Sequence, residues 1–256
     1  MRLPRVALGL SSRGSNPPSG PLLTVMLYTP RTIAFLCELQ HPPLVPDPGP
    51  IQKLHNRMFE SGDPTYRSFN VTHEGAMLSN PTTRPDAVSS AAFLANRIVF
   101  REEISSLTVE SFARRVREVT EIACELRGTQ IFTAQQVTVR TLINPRHFRD
   151  SRGFLKEGMF GFGGEVADFG REPQLYGMRL VFPATKDEPQ YFSLRIESFH
   201  NDPRSLFLEN QGTFPPIQVG RGLDPIEGNV QATYAFVVER VLRFISNFDE
   251  QNAEEA

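Results

Sequence analysis

Residues 91–128 read AAFLANRIVFREEISSLTVESFARRVREVTEIACELRG, and both periodicities of the fold lie in that one run. In its first part, Ala92 to Glu102, Phe93, Ile98 and Phe100 mark a half-buried strand. From Thr108 to Leu126 the period changes to that of a helix. Val109, Phe112, Ala113, Val116, Val119, Ala123 and Leu126 form one apolar stripe. Thr108 is placed to cap it, and Glu110 stands in the first turn, where the helix dipole favours an acid. Gly128 falls where helices end in the left-handed conformation. Glu110/Arg114, Arg114/Glu118 and Arg117/Glu121 are opposite-charge pairs four residues apart, so the other face is solvated. A strand that runs through a short loop into an amphipathic helix predicts a helix packed on a sheet.

The same sequence of elements closes the chain. Ser205 to Thr213 reads as a strand, Phe214 to Leu223 as a Pro-rich loop, and Asp224 to Phe248 as a second long helix. Asp224 is placed as its N-cap, Pro225 as N1 and Glu227 as the third member of a capping box. Ile226, Val230, Tyr234, Val237, Val241, Ile245 and Phe248 make its stripe. Working outward, strands are expected at Thr24–Gln40, Tyr66–Leu78, Gln130–Ile143, Leu175–Phe182 and Tyr191–Phe199. A rigid loop with five prolines, His41–Pro50, precedes a short helix at Pro50–Ser61. The fold class expected is therefore α+β: antiparallel sheet with two main amphipathic helices packed on it. Residues 24–143 and 175–248 are candidate duplicated halves, separated by a long segment at 144–174. Residues 1–23 read as a disordered leader and 249–256 as an acidic disordered tail. Two short strings also echo: Asn96–Phe100 with Met178–Phe182, and Glu38–Pro42 with Glu197–His200.

The chain has 256 residues, 39% hydrophobic and 22% charged, which excludes a mostly disordered chain, a collagen-like repeat and a coiled coil. A net charge of −2 weighs against a dedicated nucleic-acid domain. The two cysteines, Cys37 and Cys124, sit in apolar patterns and read as buried thiols. No apolar run approaches the roughly 18 residues that span a bilayer, and Val6–Leu10 is too short for a secretion signal. A cytoplasmic protein without membrane contact is the expectation.

Reaction motifs do not emerge. There is no G-x-S-x-G elbow, no phosphate loop and no full G-x-G-x-x-G. The two Glu-x-x-His strings are read as strand ends. On a strand such residues face opposite sides and cannot share a metal. No cofactor and no metal site are predicted. The segment that stands out is charge-segregated. Residues 140–156 carry +4 and residues 157–172 carry −3, with Phe148, Phe154, Phe160, Phe162 and Phe169 interleaved. Arg140, Arg146, His147, Arg149 and Arg152, with Phe interleaved, suit a phosphate, a carboxylate, a stacked base or a protein contact, and the plainest reading is that the positive stretch pairs with the negative one or with acids of the Thr108 helix. Gly161, Gly163 and Gly164 read as a hinge or lid beside them. The leading expectation is a non-enzymatic interaction or assembly module that self-associates through this segment. The competing one is an enzyme or sensor for a small anionic ligand, with His147 as its acid or base. The third is single-stranded nucleic-acid binding through Arg and Phe.

Overall fold

The computed structural model describes residues 28–251; the expected leader at 1–23, the first four residues of the strand expected at Thr24–Gln40, and the last five residues of the expected tail lie outside the described residues. Backbone hydrogen bonds pair nine strands into one antiparallel sheet, with the alternating apolar side chains gathered on one of its faces. Its strands are β1 (Arg31–Gln40), β2 (Ser68–Val71), β3 (Gly75–Ser79), β4 (Val88–Leu94), β5 (Arg97–Glu103), β7 (Ala134–Ile143), β8 (Gly177–Phe182), β9 (Tyr191–Ser198) and β10 (Leu206–Phe214). A two-residue pair, β6 (Ile131–Phe132) with β11 (Ile217–Gln218), stands apart. The helices are α1 (Gly49–Glu60), α2 (Val109–Arg127), α3 (residues 151–159) and α4 (residues 224–251). The molecule is thus α+β with a large antiparallel sheet, as the periodicities require.

The strand order follows one rule twice. β1 and β7 pair with each other at the centre. After β1 the chain makes α1, then the meander β2-β3-β4-β5 walks inward until β5 pairs with β1. After β7 it makes α3, then β8-β9-β10 walks inward until β10 pairs with β7. Each meander is followed by a long helix, α2 or α4, and the two helices lie against each other. Phe35 of β1 stacks on Phe112 of α2 at 5.3 Å and also meets Tyr234 of α4. Helix α1 packs on α2, and α3 on the last turns of α4. The core lies between this helical layer and one face of the sheet. β5–α2 and β10–α4 hold matching places, as their parallel in the sequence suggests. The short string echoes do not. Asn96–Phe100 leads into β5 beside the centre, whereas Met178–Phe182 lies in β8 at the edge, and Glu38–Pro42 follows β1 whereas Glu197–His200 follows β9.

Two expected strands are hairpins. Tyr66–Leu78 divides into β2 and β3, and the Ala92–Glu102 strand is the end of β4, a turn at Ala95-Asn96, and β5. The second turn shows in the parity of the buried positions. Phe93 is odd while Ile98 and Phe100 are even, and one strand cannot bury both sets on one face. Helix α2 keeps its predicted ends: the Thr108 hydroxyl accepts from the Ser111 N–H, and Gly128 has φ 68°. Helix α4 departs from expectation at its start. Leu223 holds the cap position, Asp224 is already helical, and Glu227 pairs with Arg117 of α2 at 3.1 Å instead of closing a capping box. A π-helical stretch, Phe236–Val241, interrupts it. The helix comes close to β10 at Gly212, where a Cβ would stand 2.7 Å from the Thr233 hydroxyl. Both cysteines are buried and free, and burial pushes each thiol up to about 12.

The acidic tail was expected to begin at Asp249, yet this residue is helical and 0% exposed. It continues the stripe one turn past Ile245. Its carboxylate accepts from the Tyr28 hydroxyl at 2.6 Å and from the backbone N–H groups of Arg146 (2.8 Å) and His147 (3.1 Å). One side chain thereby ties the entry to β1, the exit from β7 and the end of α4. Asp249→Ala strands those donors. It is expected to lower unfolding free energy by about 2–4 kcal/mol in urea titrations. A loss under about 0.5 kcal/mol, the range of ordinary surface changes, would show that the clamp is idle.

Candidate functional site

The sheet's two edges differ. β2 is four residues long, Ser-Phe-Asn-Val. β8, Gly-Met-Arg-Leu-Val-Phe, is longer and more apolar, and its outer backbone groups pair with no strand among the described residues. Val181 is 50% exposed and Phe182 39%. Phe162, Phe169 and Leu175, in the segment leading into β8, are exposed as well. Five of the eight exposed large hydrophobic residues among the described residues therefore fall between 162 and 182, which makes this region and not the rest of the surface the apolar one. The edge is firmly backed. Phe182 meets Phe236 edge-on at 5.2 Å, and Phe236 stacks on Phe192 at 4.4 Å. Arg240 lies over Phe236 and pairs with Glu188 at 2.9 Å, which holds the Glu188 carboxyl below the usual range.

The Arg and Gly residues singled out in the sequence are spread over four places. Arg140 lies on the sheet face opposite the helices, where its Nε donates to Glu209 of β10 at 2.7 Å; Arg195 of β9 pairs with the same carboxylate. Arg146 and His147 give their backbone amides to Asp249 and leave their side chains exposed, and Arg149 is exposed too. Arg146 and Arg31 line a cleft of about 250 Å³ with Tyr28, Asn144 and Ser205. Arg152 donates to the Pro173 carbonyl at 2.6 Å and stands over the Tyr176 ring. With Lys156 it faces Glu172, whose carboxyl is held below the usual range by the Tyr176 hydroxyl and then by Lys156. Ion pairing between the basic and acidic stretches thus runs through Arg152, Lys156 and Glu172. Gly161, Gly163 and Gly164 lie on an exposed loop, Gly161 with φ 63°. No described cavity brings them together with Arg146.

A second arrangement went unread in the sequence. Glu102, on the buried face of β5, is 2% exposed. Its Oε1 accepts from Ser89 of β4 at 2.8 Å and is in ionic contact with Arg115 of α2. Arg115 in turn covers the ring of Tyr66, which is 0% exposed and whose hydroxyl has no hydrogen-bond partner of normal geometry. The signal was present: Ile98, Phe100 and Glu102 share one parity, so alternation places a carboxylate where an apolar residue belongs. Burial pushes the Glu102 carboxyl up, against Arg115 and the Ser89 hydrogen bond. Among the described residues no group of three or more His, Cys, Asp or Glu is placed to hold a metal ion. No helix among them is long and apolar enough to cross a membrane.

No protein-family model matches this chain, and no curated protein is similar to it.

A carboxyl raised in the folded state takes up its proton before the unfolded chain does, so acidification favours folding through Glu102. Relative to Glu102→Gln, wild-type unfolding free energy is expected to rise as pH falls from neutrality toward the ordinary glutamate value of about 4.3. Paired chemical denaturation series check this; a difference that is flat or falls with acid contradicts the burial assignment.

Proposed function

We propose that the protein is a non-enzymatic interaction and assembly module, and that it self-associates by adding a second copy along the β8 edge. The observation that supports the reading is the exposed apolar edge strand with exposed Phe162, Phe169 and Leu175 beside it. An open strand of this kind is a template for another strand, and soluble proteins ordinarily blunt it with charge, proline or brevity. β2 is blunted by brevity; β8 carries one charge, Arg179. In an antiparallel pairing centred on Leu180, Met178 stands opposite Phe182 and Arg179 opposite Val181. The two arginines then avoid each other, and the buried faces of both sheets join. The repeated strand order supports a further part of this reading, that the two α+β halves arose by duplication. Arg149 and the Gly161–Gly164 loop are exposed in the same long segment.

A second reading, a small anionic ligand, has one observation in its favour: Arg31 and Arg146 line the same cleft. It requires a thermal shift with phosphorylated metabolites that Arg146→Ala abolishes.

Val181→Glu with Leu175→Glu tests the assembly. Both side chains are about half exposed, so the fold is expected to keep its circular dichroism and melting temperature. Light scattering after size exclusion should give a dimer or larger for the wild type and a monomer for the double variant. A monomeric wild type at tens of micromolar (roughly the range of weak specific association), or a variant that assembles unchanged, overturns the proposal.

A further inference from the structure

We propose that the cleft above Glu102 and Arg115 binds a small zwitterion, an α-amino acid, with its carboxylate on Arg84 and Arg115 and its ammonium on Glu102. The cleft measures about 510 Å³, a size ordinary for small-molecule sites. It lies far from β8, between the 81–88 loop and the 104–107 loop, and owes nothing to the assembly reading. Its floor carries both signs of charge. Ser89 and Arg115 both engage Oε1 of Glu102, and Oε2 accepts no hydrogen bond from the described residues. Arg115 uses Nη1 for Glu102 and Ser89, and no other acceptor of normal geometry among the described residues engages its guanidinium. Arg84, on the rim, has no ionic partner among the described residues.

That pattern selects a ligand. A plain anion drawn by the two guanidinium groups meets the Glu102 carboxylate, and a plain cation drawn by Glu102 meets the guanidinium groups. A molecule with both charges a few ångströms apart satisfies each. Burial raises the cost of the Glu102 charge, so a second cation beside it gains more there than at an exposed carboxylate. Val88, Ile104 and Leu107 supply an apolar wall, which leaves room for a side chain beyond the charged ends. No aromatic ring lines the cleft, so a stacked base has no platform. The backbone adds an independent mark. Ile104 has φ 53°, the sole positive φ outside glycine among the described residues. A β-branched residue there is strained, and its N–H is anchored to the Ile33 carbonyl at 2.7 Å. Such strain persists where the surroundings over-determine it, and it gathers at ligand clamps.

The test is calorimetric titration of the full chain with each common L-amino acid, with acetate and methylammonium as single-charge probes. At least one amino acid should bind, with acetate and methylammonium each weaker by at least about tenfold. Arg84→Ala, on an exposed loop, should keep its circular dichroism and weaken binding roughly tenfold, and Glu102→Gln should weaken it as well. The proposal fails if no amino acid binds up to about 10 mM. It also fails if acetate or methylammonium alone binds as tightly, or if Arg84→Ala binds like the wild type.

Discussion

The antiparallel ladder between β1 and β7 is the constraint on which the rest of this structure hangs. Each of these strands is paired on both sides, and alternate side chains, Phe35 to Leu39 in one and Gln135 to Val139 in the other, are buried on one face. Cys37 pairs with Val137 at its middle, and both side chains are fully buried. With those two strands fixed at the centre, each meander has a single free edge to grow from. Both grow the same way, returning their last strand to the centre and then laying a helix across it. The result buries one face under α2 and α4 and leaves two edges that no strand among the described residues closes. Asp249 holds the geometry at one end by tying the entry to β1, the exit from β7 and the end of α4 to one carboxylate.

Much of this is legible in the residues. The stripe of α2 and its Thr108 and Gly128 ends follow from spacing alone, and so do β7, β9 and β10, whose alternation is strong. What escaped was locally disguised. The turn between β4 and β5 is Ala95-Asn96, without the glycine that usually marks a tight hairpin, and it sits inside an apolar run. The parity change from Phe93 to Ile98 is its only trace. Asp249 looked like tail because acids follow it, although it lies four residues past Ile245 on the buried stripe. The start of α4 was misread for the opposite reason: Asp224 and Glu227 match a capping box, but Arg117 of α2 competes for Glu227, and a tertiary pair won over a local one.

Site residues were harder, because chemistry depends on which strands become neighbours. The basic run at 140–156 is contiguous in sequence, yet β7 points Arg140 onto the open sheet face while the turn after β7 exposes Arg146 and Arg149. Glu102, Ser89 and Arg115 come from β5, β4 and α2 and meet only when the hairpin closes under the helix. The exposed apolar edge is likewise a property of topology. Leu175–Phe182 reads as an ordinary strand until the order of the sheet shows that it has one partner.

The central claim is that β8 is where another copy of the chain adds. Hydrogen exchange at high and low protein concentration, resolved to peptides, tests it most directly. Amides of residues 177–182 are expected to gain protection as concentration rises while those of residues 68–71, at the other edge, do not. Exchange in β8 that is independent of concentration while the protein assembles, or new protection at β2 instead, would contradict it.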